Sequence, residues 1–261
     1  MKKDTSWNKV AGWYDTLLHL EGTYQQDVIL PNLLRLLAIK KGEKILDLAC
    51  GQGFFSQALA AQGAEVTGVD LAPNLIKLAR EQCQGSTLTL KYLVAPADNL
   101  GKEIKDKSFD KVLVVLALQN IENLAGVLAE AGRTLRAGGQ LFLVLNHPAF
   151  RNPKHTAWDF DEKNKIQYRR VEEYLSESRT EIDMNPGQTA TGSKKSTISF
   201  HRPLQVYFKQ LVKNGFMVRR LEEWNSPKKS AAGPRQSAED KARKEIPLFL
   251  LIEAVKIQPT P

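Results

Sequence analysis

Two carboxylates and two glycines between Ile45 and Asp70 have spacing that could do chemistry. Asp47 stands inside an apolar run, Ile45-Leu46-Asp47-Leu48-Ala49, where a lone carboxylate is costly unless something hydrogen-bonds it. Gly51 and Gly53 follow at once, and apolar residues then resume at helical spacing. A strand that runs through Gly-x-Gly into a helix suits an anion or a nucleotide, because glycine lets backbone approach a ligand and the helix start presents unpaired N–H groups. Asp70 closes the next strand-like stretch, "VTGVDLAP". Two versions of such a turn fit poorly. A phosphate-binding loop needs Gly-Lys-Ser/Thr, and this chain has Phe54-Phe55 after Gly53. A nicotinamide or flavin fingerprint wants a third glycine where Ser56 stands.

The elements that must position these residues alternate. "KILDLA", "EVTGVDL", "LTLKYLVA", "FDKVLVVLAL" and "QLFLVLN" read as strands, the last after a "RAGG" turn. Between them "FFSQALAAQG", "PNLIKLAREQC" and "LAGVLAEAGRTL" read as helices, and "WNKVAGWYDTLLHL" and "VILPNLLRLLAI" as two helices before the first strand. This order predicts an α/β fold with a doubly wound, mostly parallel sheet covered by helices on both faces, since parallel strands need crossover connections. After Asn146 the texture becomes polar and aromatic-punctuated. "KIQYRRVEEYL" and "STISFH" are expected to be short antiparallel strands, with "MNPGQTATGSKK" as a mobile loop between them. From His201 the α/β pattern returns, with a helix "RPLQVYFKQLVKNGF", strands "MVRRLEEW" and "PLFLLIEAVK", and a short charged helix in "SAAGPRQSAEDKARKE". The division expected is residues 1–40 helical, 41–146 core, 147–200 insertion and 201–261 return to the core, all in one domain.

Composition sets the bounds. The chain has 261 residues, 42% of them hydrophobic and 25% charged, which is ordinary for a globular protein. No apolar run approaches the roughly 18 residues of a membrane span, and the start lacks the apolar segment of a signal peptide, so a cytoplasmic location is expected. Cys50 and Cys83 make neither a disulfide framework nor a metal cluster, and no metal is expected. A net charge of +8 keeps an anionic partner in view, although its patches, such as Lys194-Lys195, suit a solvated surface.

The spacing Asp-x-x-x-Gly-x-Gly with a strand-terminal acid resembles motif I and its sequel in class I S-adenosylmethionine-dependent methyltransferases, in the broad group with the ubiquinone and menaquinone biosynthesis enzymes. The resemblance runs from about Trp7 to Ala149 and resumes near His201. It implies a seven-stranded Rossmann-like sheet with an antiparallel last strand, and S-adenosyl-L-methionine as cofactor. Ala49, Gly51 and Gly53 would pass beside the methionine part, and Asp47 would meet backbone N–H groups in the turn and the cofactor's amino group. Asp70, with Leu71, would hold the ribose. "SFDKVLVVLALQNIEN" resembles the fourth-strand region, which puts Leu116 to Asn120 beside the methionine part. "WYD" resembles the helix that closes over the cofactor, nominating Tyr14 and making 1–40 a lid. Where the group commonly carries Asp-Ala, this chain has Pro96-Ala97, leaving the Ala97 N–H and Asp98 to read adenine. Asp98 also has an alternative reading as a turn cap.

Methyl transfer from a sulfonium is an in-line displacement that needs positioning more than any obligatory side chain, and a base adds about 10²- to 10⁴-fold when the acceptor must lose a proton. His147, at the carboxyl end of the fifth strand beside Asn146, is the first candidate and His201 the second. Arg202 could bind a carboxylate or phosphate. His19 and His155 suit solvent or packing roles. Trp158, Phe160, Tyr168 and Tyr174 would line an acceptor pocket or build a small local core. The expected acceptor is a small molecule shaped by the 147–200 region. A nucleic-acid methyltransferase is the alternative, against which stands the absence of an Asn/Asp-Pro-Pro-aromatic loop after the fourth strand. A regulatory protein that binds the cofactor without chemistry is a further alternative, and a nicotinamide oxidoreductase is disfavoured by Ser56 and Asp47.

Overall fold

A computed structural model describes Trp7, Asn8 and residues 22–183 and 196–257. A π-helical turn, Gln25–Ile29, leads into α1 (Leu30–Leu37). Then β1 (Lys44–Leu48), α2 (Phe54–Ala61), β2 (Glu65–Asp70), α3 (Pro73–Gln82) and β3 (Leu90–Val94) alternate. They are followed by β4 (Phe109–Val115), a 3₁₀ turn (Leu118–Asn120), α4 (Leu124–Thr134) and β5 (Leu135–Asn146). Four short strands come next: β6 (Thr156–Asp161), β7 (Ile166–Val171), β8 (Ser178–Asp183) and β9 (Ser196–His201). The chain ends with α5 (Leu204–Lys213), β10 (Phe216–Trp224), α6 (Gln236–Glu245) and β11 (Phe249–Lys256).

The main sheet has seven strands in the order β10-β11-β5-β4-β1-β2-β3. Strands β1 to β5 pair in parallel, whereas β11 lies antiparallel between β5 and β10. This is the doubly wound sheet with an antiparallel last strand that the sequence leads one to expect. Period-two alternation explains how both faces are filled. On β5, Leu141, Leu143 and Leu145 join a core with Leu128 of α4 and Leu211 of α5. Phe142 and Val144 point the other way, to Leu33 of α1 and Leu59 of α2. The sheet order reverses between β1 and β4, so their carboxyl ends open a crevice, the place where open α/β sheets hold ligands.

Several local expectations change. The "RAGG" turn is instead an irregularity within one long strand: Phe109 pairs with Leu135 but Lys111 with Gln140, and Gly138 takes a φ of 74° to absorb the surplus residues. In the 147–200 region, "KIQYRRV" pairs with Thr156–Asp161 and "STISFH" with Ser178–Asp183. β8, Ser-Arg-Thr-Glu-Ile-Asp, carries the charge and hydroxyl groups of a loop and gives no apolar alternation to read, whereas β6 does alternate, Trp158 and Phe160 against Asp159 and Asp161, over a stretch too short to stand out. Tyr14 and His19 lie outside the described residues, as do Lys194-Lys195 and residues 184–195, the span of the loop. No helix among the described residues is long and apolar enough to cross a membrane.

Candidate functional site

Left-handed backbone turns the chain out of the sheet at both central strands. Ala49 follows β1 with φ of 58° and Leu116 follows β4 with φ of 51°. Such conformations cost non-glycine residues about 1 to 3 kcal/mol each and collect at functional sites. Both residues line a cavity of about 680 Å³ at the carboxyl edge of the sheet, together with Asp47, Gly51, Asp70, Leu71, Ala97 and Asp98. Nine of the ten sequence candidates for cofactor contact lie among the described residues, and eight of those face this one space. The exception is Gly53. It opens α2 with φ of 84°, and a β-carbon there would run into the Tyr92 hydroxyl. The Tyr92 ring likewise fills the space beside Gly68, so these glycines make room for a buried tyrosine behind the turn. Gln52, between the two glycines, faces the cavity instead.

Asp70 accepts from the Gly51 N–H at 2.9 Å and the Ala72 N–H at 2.8 Å, which ties the glycine turn to the end of β2. Burial raises its pKa, and these N–H bonds pull against that rise. Asp47 is 1% exposed. Ser56 supports it twice: the hydroxyl donates to Oδ2 at 2.5 Å, and the Ser56 backbone N–H donates as well, one of the turn N–H groups expected for it. Burial pushes the Asp47 pKa up to about 7 against the Ser56 bond, and the Asp70 charge adds to the rise. Ser56, noted in the sequence only as a small residue in a glycine position, is thus the support of the motif acid.

The buried Gln52 Nε2 has no hydrogen-bond partner. A buried amide donor at such a site calls for an acceptor from a ligand or water. The cavity therefore offers a carboxylate (Asp47), an unmet amide donor (Gln52) and a second carboxylate (Asp70) on three successive surfaces. That donor set fits an amino acid moiety joined to a ribose. Asp98 lines the space, but its Oδ2 accepts from Asn123 Nδ2 at 3.0 Å, while Asn123 caps α4 through the Gly126 N–H at 2.9 Å. Its carboxylate braces the residue that caps the helix, whereas the sequence alternative had Asp98 itself as the cap.

A second cavity, of about 490 Å³, adjoins the first; Trp7, Leu116, Asn120, Thr197 and Phe200 line both. His201 and Arg202, from the end of β9 and just beyond it, line it too. His201 Nε2 bonds the Tyr174 carbonyl at 2.9 Å, which makes Nε2 the protonated nitrogen. Nδ1 then carries the lone pair, and burial holds the pKa below the usual imidazole value. Arg202 is already engaged: it donates to the carbonyls of Leu118, Ile121 and Glu122 and so pins the 3₁₀ turn after β4. It does not present a free fork to a substrate carboxylate.

His147 sits otherwise than its strand-end position suggests. The Ala149 N–H donates to Nδ1 at 3.2 Å, so Nε2 carries the proton and donates to Glu223 Oε1 at 2.7 Å. Both nitrogens are occupied, and the ring borders neither cavity. Glu223 comes from β10, 76 residues away in sequence. In the 147–200 region, Trp158 stacks under Arg169 and Tyr174 bonds the Leu204 N–H. Tyr168 is exposed, and Phe160 packs under Arg235. None of these four aromatics lines the second cavity.

Comparison with known proteins agrees with the geometry. Residues 46–143 match the family model described as "Methyltransferase domain". A demethylmenaquinone methyltransferase of Tropheryma whipplei is 33% identical over 143 residues, 54% of this chain and 58% of that protein. A ubiquinone biosynthesis O-methyltransferase of Xanthomonas oryzae is 36% identical over 102 residues, 39% of this chain and 42% of that protein. The chain thus spans about half the length of the curated relatives it matches. Over nearly its whole length it resembles the crystal structure of an S-adenosylmethionine-dependent methyltransferase from Mesorhizobium loti: 25% identity, TM-score 0.66, 86% of this chain and 96% of that one.

Proposed function

We propose, from the premise that residues 46–143 form a class I S-adenosylmethionine-dependent methyltransferase domain, that the whole chain moves a methyl group from that cofactor to a small-molecule acceptor. The observation that carries the reading is the junction of the two cavities. A donor space with Asp47, Gln52 and Asp70 on its walls opens, across Leu116, Asn120, Thr197 and Phe200, into a second space of a size that suits a small molecule. In this reading Asp47 faces the cofactor's ammonium, Gln52 Nε2 meets its carboxylate, Asp70 takes the ribose hydroxyls, and Ala97 with Asp98 borders the adenine. When bound, the cofactor supplies the electrophilic methyl carbon.

The chain's own task is alignment. Leu116 and Asn120 hold the junction, and the Asn120 side chain donates to the Ile198 carbonyl at 2.9 Å, fastening β9 to the end of β4. Holding two reactants in line accounts for a large share of such an acceleration. If the acceptor carries an O–H or N–H, His201 Nδ1 would take that proton, leaving the acceptor atom free to receive the methyl group that the cofactor would supply. We assign this role to His201 and a packing role to His147, because only the former faces the second cavity. The region 147–200 then shapes the acceptor, and the free thiols Cys50 and Cys83 suit a reducing compartment such as the cytoplasm.

The test is calorimetric titration with S-adenosylmethionine, followed by transfer of labelled methyl from the cofactor to a panel of small hydroxylated and amino-bearing metabolites. Saturable binding with acceptor-dependent label transfer is expected. A folded protein that binds no cofactor would refute the reading.

A further inference from the structure

The second cavity has a one-sided charge. Arg151, Arg169 and Arg202 line it, and among the described residues no aspartate or glutamate does. A smaller neighbouring cavity of about 250 Å³ shares Arg151 and Arg169 with it, adds Arg243, and has no acid among its described lining residues. Buried cations are usually paired, so this imbalance needs an explanation.

The arginines are not equivalent. Arg202 is spent on three carbonyls. Arg169 donates to the Phe150 carbonyl and to Thr156 Oγ1, both at 2.8 Å, and lies 5.1 Å over the Trp158 ring. Arg243 donates to Ser230 Oγ at 3.0 Å. The Arg151 guanidinium has neither a hydrogen bond nor an ion pair among the described residues; it rests 5.3 Å over the Phe249 ring, with the like charge of Arg169 near it. Beside it in sequence, Asn152 is 2% exposed and lines the same cavity, yet neither its Nδ2 nor its Oδ1 has a partner. Gln119 Oε1, on the same wall, is also unmet. A cation without a counterion and a buried amide donor without an acceptor line one cavity, and an anion would satisfy both, while the unmet Asn152 Oδ1 and Gln119 Oε1 call for an O–H or N–H on the same ligand.

We infer that the acceptor is an anion, carrying a carboxylate or phosphate group that Arg151 and Asn152 grip at the end of the cavity away from the cofactor. The inference rests on the methyl-transfer reading of the site and names its substrate class. Tyr24 and Phe249 stack edge to face at 5.6 Å on the wall beside Arg151, so the body of the acceptor behind its anionic group lies against aromatic surface. Arg169, held by its own bonds, adds positive potential without having to reach the ligand.

The probes are benzoate, phenyl phosphate and the neutral isostere benzamide, titrated calorimetrically into protein saturated with S-adenosylhomocysteine. At least one anion should bind about 10- to 100-fold more tightly than benzamide, the ratio expected of one charge-assisted hydrogen-bonded pair. Which anion wins separates a carboxylate from a phosphate site. Arg151→Met keeps the apolar stem and should bring the anions to the level of benzamide while S-adenosylhomocysteine affinity stays within about twofold. Asn152→Asp, which sets a carboxylate in the cavity, should abolish anion binding and serves if the methionine variant fails to fold. Equal binding of benzamide and the anions, no binding of any probe, or anion preference surviving in either folded variant would overturn the inference. Failure of S-adenosylhomocysteine itself to bind would count against the methyltransferase reading, a distinct result.

Discussion

Replacing Asp47 with asparagine should make the ligand-free protein more stable and the cofactor complex weaker, and the first effect should grow with pH. Asp47 is 1% exposed and its pKa is pushed up to about 7 from the ordinary 3.8. The folded state therefore holds a proton that the unfolded chain has already lost between those values. Stability from this group is complete below pH 3.8 and declines as pH rises, until the carboxylate is ionised in both states above about 7. Each unit of pKa difference corresponds to about 1.4 kcal/mol, so the ionised carboxylate costs the ligand-free fold roughly 4 kcal/mol at pH 8. At pH 5 the decline is only part complete. The advantage of Asp47→Asn over wild type should increase by about 2 to 3 kcal/mol between pH 5 and pH 8, several degrees of melting temperature for a chain of this size. The amide keeps the shape of the carboxyl, and Ser56 can accept from it as readily as it donates to Asp47. Urea unfolding of both proteins across that range, without ligand, measures the difference directly, and the titrations of groups that do not interact with Asp47 cancel. S-adenosylmethionine should bind the variant at least about tenfold less tightly, because its ammonium loses a counter-charge. A stability difference that stays flat with pH would refute the reasoning, since it would mean that Asp47 does not titrate between the two states as its burial demands.

Asp70→Ala should weaken S-adenosylmethionine binding by about 1.5 to 3 kcal/mol, since it removes the proposed ribose acceptor and also the bond that ties Gly51 to β2; unchanged calorimetric affinity would remove Asp70 from the site. Gly53→Ala should destabilise the fold by about 2 to 4 kcal/mol, combining backbone strain at φ of 84° with the collision against Tyr92. Adding Tyr92→Leu should return at least about 1 kcal/mol of that loss in a denaturation double-mutant cycle, and strict additivity would show that the ring is not the obstacle. With an acceptor in hand, His201→Ala should lower kcat about 10²-fold with cofactor affinity unchanged, and the wild-type rate should rise with pH through a pKa below the ordinary 6.5, because the lowered pKa leaves His201 neutral and able to accept a proton at lower pH. His147→Ala should instead cost about 1 to 3 kcal/mol of stability with little change in kcat, and the reverse pattern in steady-state kinetics would exchange the two roles.

The α/β order, the crevice at the strand ends and the spacing from Asp47 to Gly53 were readable in the chain because each is written in local sequence. Alternating apolar stretches dictate a parallel sheet, and a glycine turn after a strand needs only neighbouring residues to form. The supports of that turn were not readable. Ser56 reaches Asp47 from the next helix, and Tyr92 of β3 requires Gly53 and Gly68 to lack side chains; nothing at either position announces its partner. The two histidines show the limit most clearly. His147 has the better address in sequence, yet a carboxylate from β10 holds its ring away from both cavities, while His201, bonded to the Tyr174 carbonyl, lines the second cavity. Arg151 and Asn152 look like any polar pair after a strand until the fold sets them in a cavity with Tyr24 and Phe249 on its wall and, among the described residues, no acid. Residue types and spacing determine which backbone forms and where its strands end. Which way a side chain faces, and whether its charge is answered, depends on groups brought from distant parts of the chain, and only the tertiary structure decides that.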